Sequence, residues 1–332
     1  MVVSVIMKTL NEASGIAEAI ESVLIALERV KGVVIVADGG SSDRTVEIAA
    51  RYRVQVVQLE VGTPPTCGIG QQLGFQYSRE PFVCLMDGDM QLDPEFLPAA
   101  LAYLEAHPAA GGVTGHVREI NVSNLEFQRR VRRNGPEKRI GSIDRMNGGG
   151  LYRREAIEQV VYLTDRNLHG YEEFDLGLRL RTRGWRLHRL DRTFVRHYGH
   201  TVGAYELLRR RWRSGYLRGI GELLRGAVGK PHLGQLIREV PELRLWGGVY
   251  CVAIAMALLP IILPNVMLGL LADLAIASAV VAVMSARQRS LQMGVYAIVA
   301  WLFHAAAFPL GFFHPRARPE AWIESRILKD LS

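Results

Sequence analysis

Residues 82–94 read FVCLMDGDMQLDP. Five apolar side chains, Phe82 to Met86, run directly into Asp87-Gly88-Asp89. A continuous apolar run of this length, closed by turn residues, predicts a strand buried on both faces, like the inner strands of a parallel sheet. In open α/β sheets ligands collect beyond the carboxyl ends of the strands. This strand therefore delivers two carboxylates to the edge where binding takes place. Two aspartates around a glycine suit Mg2+ or Mn2+, which prefer oxygen ligands and often combine one or two carboxylates with a substrate diphosphate. The glycine is expected to let that diphosphate approach the backbone. A solvated turn with incidental acids is the plainer alternative.

The preceding residues place that strand in a series. VVSVIM (2–7) is a short apolar run, and Ile16, Ala19, Ile20, Val23, Leu24 and Leu27 then recur at helical spacing. VVIVAD (33–38) is rich in β-branched residues and ends on Asp38; a helix is expected from Thr45 through VEIAARY, and VQVVQLE (54–60) is a third strand. TCGIGQQLG (66–74) opens another helix, and its glycine spacing is not the dinucleotide fingerprint. Strand and helix alternate, which predicts an α/β fold with a doubly wound, mostly parallel sheet. A second acidic cluster, Glu172-Glu173-Phe174-Asp175, opens a segment whose leucines and arginines predict a helix ended by Gly184. Such acids can simply complement the helix dipole. Read chemically, one of them is a general base for a hydroxyl proton.

In this order the motifs resemble the family-2 glycosyltransferases, which have the nucleotide-sugar-binding GT-A fold, over roughly residues 2–215. Residues 5–12, VIMKTLNE, look like the family's first strand and its Asn-Glu end, and DGGSSDRT (38–45) is similar to its Asp-x-Gly-Ser-x-Asp-x-Thr loop. The resemblance implies that Thr9, Asn11, Glu12, Asp38 and Gly39 bind the nucleoside, with Asp38 at the uracil and a UDP-sugar favoured. It makes Asp87 and Asp89 the metal motif, and Asn147, Gly148, Gly149 and Gly150 the small-residue turn lining the sugar and acceptor pocket. Gln72 falls near the family's usual Asn beside the nucleotide. Glu172-Glu173 matches the family's Glu-Asp pair, with Glu173 expected as the base and Glu172 in reserve. A glutamate there departs from the pattern by one methylene. RHYGH (196–200) offers His197 and His200, and the resemblance implies His197 as a further metal ligand; a histidine hydrogen-bonded in a loop is the alternative. LLRRRWRSGYLRG (207–219) resembles the Gln-x-x-Arg-Trp segment of membrane-bound members. Arg211 and Trp212 match it, and Leu208 replaces the glutamine. Alternatively, that segment is a basic interfacial helix on anionic headgroups.

The C-terminal third differs in kind. From Leu245 to Val283 the one charged residue is Asp273, and Pro260, Pro264 and Asn265 break the stretch near its middle. A third apolar segment, Met293 to Phe313, follows the basic loop ARQRS. So much uncharged sequence predicts two or three membrane spans. Arginines 238, 244, 287 and 289 would face the cytoplasm by the positive-inside rule. The expected plan is a catalytic domain (1–204), a basic interfacial segment (205–243), the membrane helices (244–314) and a tail (315–332). The formal net charge of +7 fits phosphates and anionic lipid. Cys67, Cys84 and Cys251 are too scattered for a disulfide framework or zinc site. The function expected is inverting, metal-dependent sugar transfer from a nucleotide sugar to a lipid-linked or glycan acceptor at the inner membrane, with no nucleic acid involved. The rivals are a haloacid-dehalogenase-type phosphatase using Asp87 as nucleophile, and a non-catalytic membrane scaffold.

Overall fold

The computed structural model describes residues 3–120, 138–198 and 202–331. The chain divides into two compact units, residues 1–202 with 315–332, and residues 203–314.

The first unit begins β1 (Val3–Thr9), α1 (Ile16–Leu27), β2 (Gly32–Asp38), α2 (Thr45–Ala49), β3 (Gln55–Leu59), α3 (Cys67–Tyr77) and β4 (Phe82–Asp87). It continues with β5 (Met90–Leu92), α4 (Phe96–Ala106), β6 (Ala110–Glu119), β7 (Gly141–Ile143), β8 (Gly150–Arg153), α5 (Arg154–Glu158), α6 (Glu172–Thr182) and β9 (Arg186–His197). β10 (Ser325–Lys329) comes from the far end of the chain. The sheet order is β10-β3-β2-β1-β4-β8-β6-β9-β5, with β7 on β9. From β3 to β4 neighbouring strands are parallel; beyond β4 the sheet is mixed, because β8 runs antiparallel to both β4 and β6.

Alternation of side chains along β1 explains the two cores. Val3, Val5 and Met7 point to the face covered by α1 and α4, meeting Ile16, Ile20, Val23, Phe96 and Leu97. Ile6 points the other way, with Ile35, Val57 and Leu85, to Ile69 and Leu73 of α3 and Leu176 and Leu180 of α6. Parallel pairing then levels the strand ends. Thr9 lies opposite Asp38, and Lys8 opposite Asp87. α2 is shorter than expected, stopping at Ala49.

The residues after 314 are part of this unit. β10 pairs antiparallel with β3, Ser325 opposite Leu59 and Ile327 opposite Val57. Ile323 is fully buried, and Gln76 of α3 exchanges two hydrogen bonds with its backbone. Arg316 forms an ion pair with the buried Asp165.

The second unit is helical: α7 (Ala204–Arg213), a 3-10 turn (Tyr216–Arg218), α8 (Gly219–Ala227), α9 (Leu233–Glu239), α10 (Glu242–Ile262), α11 (Val266–Gln288) and α12 (Leu291–Phe312). α10, α11 and α12 are long and apolar enough to cross a membrane, and the third apolar segment begins two residues earlier than expected.

Arg316→Ala leaves Asp165 with a buried charge that keeps only its hydrogen bonds from Asn167. A charge-assisted hydrogen bond of this kind contributes about 2 kcal/mol, equivalent to roughly 4–8 °C in melting temperature for a unit of this size. Thermal unfolding of the purified variant, followed by circular dichroism, checks this.

Candidate active site

Two loops at the carboxyl edge of the sheet are laced together. Asp38 is completely buried at the end of β2. Its Oδ1 accepts from Thr9 Oγ1 (3.1 Å) and Ser41 Oγ (2.5 Å), and its Oδ2 from Gly40 N (3.0 Å), Ser41 N (2.8 Å) and Gln58 Nε2 (2.9 Å). Five donors on one carboxylate fix the course of residues 39–41. Asn11, in a left-handed conformation (φ 58°), accepts from Ser42 N at 2.8 Å, and Ser41 Oγ accepts from Asn11 N. Glu12 N donates to Thr45 Oγ1 at 2.8 Å. The result is one preformed rim running from Thr9 to Glu12 and from Asp38 to Thr45. Gly39 closes it, donating to Thr9 O at 2.9 Å.

Beside this rim, the end of β4 gathers charge. Lys8 Nζ stands 3.1 Å from Asp87 Oδ1 and 3.7 Å from Glu172 Oε1, so one ammonium joins β1, β4 and the start of α6. Burial disfavours the Lys8 charge, but the two carboxylates outweigh it and hold the ammonium well above its usual pKa. The space for this side chain comes from α3, where a Cβ on Gly70 would lie 2.4 Å from Lys8 Cγ. Gly68 has the same use, since a Cβ there would meet Asp165 O at 2.0 Å. The glycines of GIGQQLG are therefore a packing face. Gln72 belongs to it too: buried, it accepts from the backbone of Leu163 and Thr164 and so braces that loop. Gly88 also serves packing, since a Cβ would strike Thr9 Cγ2 at 2.7 Å. That is a reason for glycine between the aspartates other than diphosphate approach.

The second aspartate faces β9. Asp89 Oδ2 lies 3.1 Å from His197 Nε2, and His197 Nδ1 lies 2.6 Å from Glu119 Oε2 at the end of β6. Burial opposes the imidazolium, yet the carboxylates on either side raise its pKa to about 10. Glu12 shows the opposite stress: burial first, then the nearby Asp89 and Asp87, push its pKa up to about 8. His200 lies outside the described residues.

Adjacent ligands on an octahedral cation bound at about 2.1 Å stand about 3 Å apart, which is the separation of Asp89 Oδ2 and His197 Nε2. The Glu119 contact has the form by which a carboxylate orients a metal-ligating imidazole. Among the described residues no three such groups converge into a cage by themselves. This matches an ion that shares its shell with a substrate diphosphate. His197 would release its Nε2 proton to solvent as the cation binds, as any imidazole ligand must. The residues present thus fit Mg2+ or Mn2+.

Glu173 occupies a third position. Its Oε2 accepts from Gly148 N at 3.0 Å and its Oε1 from Gly149 N at 2.5 Å. The turn can offer both amides because Gly148, Gly149 and Gly150 all have positive φ, and because Gly149 presses on Leu85 O, 2.0 Å from where its Cβ would be. Burial, followed by the charge of Glu172, raises the Glu173 pKa to about 8. Burial likewise raises that of Glu172, with Lys8 pulling against it. Asn147 is half-buried beside this turn. Arg211 and Trp212 belong to α7 of the other unit, where Arg211 lies over the Tyr216 ring (5.0 Å) and Trp212 meets Phe303 (5.5 Å).

Residues 4–161 match Glycosyl transferase family 2. That stretch carries the family's domain. The chain is 28% identical over 226 residues to an uncharacterized glycosyltransferase of Mycobacterium tuberculosis, spanning 65% of this chain and 92% of the relative. A low-salt glycan biosynthesis hexosyltransferase of Haloferax volcanii is 41% identical over 102 residues, of which this chain spans 23% of the length. Among solved structures, a mannosyltransferase from Pyrobaculum calidifontis, in complex with GDP-Man and Mn2+, superposes with TM-score 0.62 at 18% identity, covering 92% of this chain and 86% of that one. The fold is the GT-A fold followed by long apolar helices.

Lys8 and Glu119 were not singled out in the sequence. Lys8 had one signal, a lysine ending an apolar strand; Glu119 had none, being one charge among several in HVRE. Lys8→Met removes the cation between Asp87 and Glu172 and so raises the Glu172 pKa further. A carboxyl raised in the folded state adds stability below its unfolded pKa of about 4.3 and loses it as pH climbs through the folded value. The variant's deficit is therefore greatest at alkaline pH, about 1–3 kcal/mol at pH 8, and shrinks toward pH 5. Melting temperatures of both proteins at the two pH values test this.

Proposed function

We propose that the protein is an inverting, metal-dependent glycosyltransferase. It moves a hexosyl or N-acetylhexosaminyl group from a nucleotide sugar, a UDP-sugar by preference, to a lipid-linked or membrane-associated glycan acceptor. The observation that carries this reading is Glu173, a carboxylate oriented by two amides, with its pKa raised toward working pH, on the same sheet edge as Asp87 and Asp89. A general base works best with its pKa near the operating pH.

The rim of Thr9, Asn11, Glu12 and Gly39, shaped from below by Asp38, receives the nucleoside. Asp89 and His197, with Asp87 nearby, would hold Mg2+ or Mn2+. When bound, such an ion acts as a Lewis acid toward the charge on the departing diphosphate. Glu173 accepts the acceptor's hydroxyl proton while that oxygen bonds to the anomeric carbon. The bond from that carbon to the diphosphate oxygen breaks, its electron pair leaving with the nucleoside diphosphate. Attack opposite the leaving group inverts the anomeric centre. Gly148 and Gly149 keep the Glu173 carboxylate aimed, and Lys8 keeps Glu172 and Asp87 from repelling each other. Asn147 and Gly150 frame the sugar and acceptor pocket, and Gln72 braces the loop behind it.

The long apolar helices fit an integral membrane enzyme. Arg211 and Trp212, on a helix rich in arginine, suit a site at the headgroups where an amphiphilic acceptor waits. The basic residues flanking α10 and α11 favour a cytoplasmic catalytic face on the inner membrane, and hence a role in cell-envelope glycolipid or polysaccharide synthesis.

Release of nucleoside diphosphate by enzyme in lipid, assayed with a panel of nucleotide sugars and Mn2+, tests the reading. Asp89→Ala and Glu173→Gln are each expected to lose about 100-fold or more of the rate. Undiminished turnover by Asp89→Ala with the metal chelated would sink the metal assignment. The kcat/KM profile should rise with pH, because the working form of Glu173 is the carboxylate. Its acid limb should fall between about 4.3 and about 8, since a bound cation only lowers the value. Glu173→Gln should abolish that limb.

A further inference from the structure

Both ends of the apolar region are joined to one folded unit. Residues 1–202 precede it, and residues 315–332 complete the same sheet through β10. A bilayer cannot divide a hydrogen-bonded sheet, so the chain between 203 and 314 crosses the membrane an even number of times. Three helices there are long enough to cross. At least one of them does not.

α10 and α11 have the character of a spanning pair. At 21 and 23 residues they are about 31 and 34 Å long, against a hydrocarbon core of about 30 Å. Only 6% of the apolar window of each is buried within the protein. They approach closely at the Leu263–Asn265 turn, where a Cβ on Gly269 would meet Pro260 Cα at 2.5 Å. Glu242 and Arg244 lie at the start of α10, and Arg287 and Arg289 at the end of α11, so these charges gather at the open end of the hairpin.

α12 differs. Of its apolar stretch 28% is buried, and the buried residues (Gly294, Tyr296, Ala297, Ala305, Ala307, Gly311) share one side of the helix. Most of that side packs along α7 and α8, while at the base of the hairpin Gly294 lies against Ser285 of α11 and Tyr250 and Trp246, near the start of α10, reach Ala305 O and the His304 ring. Tyr205 meets Tyr296 at 5.3 Å, Trp212 meets Phe303, and Leu208 and Leu217 cluster with Ala307, Val299 and Ala300. Backbones touch where Gly221 faces Phe308 O and Gly311 faces Arg218 O. These contacts run from residue 296 to 312, about 24 Å of helix. α7 carries Arg209, Arg210 and Arg213 exposed to solvent. A spanning α12 would draw these arginines into hydrocarbon, where charged side chains are strongly disfavoured. The opposite side of α12 exposes Leu291, Val295, Leu302 and Leu310.

We infer that α10 and α11 form the membrane hairpin, whereas α12 lies in the plane of the lipid surface, with α7 and α8 on one side and acyl chains against its exposed leucines. The inference rests on the membrane anchoring proposed above. It places the N-terminus, the 289–290 turn and the C-terminus on one face, and the 264–265 turn alone on the other.

Short protease-cleavable tags in the full chain at these four positions, probed in sealed vesicles of one orientation, test it. Three tags should be cut together and the 264–265 tag only from the opposite side. A C-terminal or 289–290 tag cut from the side opposite the N-terminus overturns the proposal. To avoid insertions, a fluorophore on Leu302→Cys in a Cys251→Ala background reports depth by quenching with lipid-borne probes. A label at headgroup depth supports the arrangement, and one at the bilayer midplane overturns it. Complete release by alkaline carbonate without detergent would instead overturn membrane anchoring itself.

Discussion

Mutual repulsion among acids is the constraint on which the rest of the structure depends. Glu12 just past β1, Asp87 and Asp89 at and just past the end of β4, and Glu172 and Glu173 at the start of α6 meet at one edge of the sheet, in partly buried ground where like charges are costly. Two cations make the gathering tolerable. The Lys8 ammonium ties Asp87 to Glu172, and the His197 imidazolium sits between Asp89 and Glu119. What remains unneutralised shows as raised proton affinity at Glu12 and Glu173. The same arrangement that stresses the folded protein suits the divalent ion and the proton acceptor proposed for it, as perturbed groups at functional sites commonly do.

The parts of the fold that follow from short-range pattern were legible in the sequence. The apolar runs ending at Thr9, Asp38 and Asp87 are parallel neighbours in register, because strands buried on both faces leave no freedom of period or direction. The Glu172-Glu173 helix start and the glycine turn at 148–150 were also legible, although their hydrogen-bonded union was not. That union joins residues about 25 apart through backbone amides, and amides carry no sequence signature.

What escaped the sequence depends on long-range packing. Gln72 read as a residue beside the nucleotide; in the structure it braces residues 163–164, and Gly68 and Gly70 of the same helix give room to Asp165 and Lys8. Asp38 read as a base-contacting carboxylate, whereas its oxygens are committed to five donors within the protein. The last strand was hidden for a different reason. WIESRILKD carries little alternation of its own, and it takes β form because β3 presents an open edge.

That edge strand has a consequence for how the protein is made. β3 leaves the ribosome some 265 residues before its partner β10 does, with all the apolar helices in between. Until residues 325–329 emerge, the half-finished sheet exposes a row of unpaired amides and carbonyls. The sheet of this unit is therefore completed only after the three long apolar helices have been synthesised.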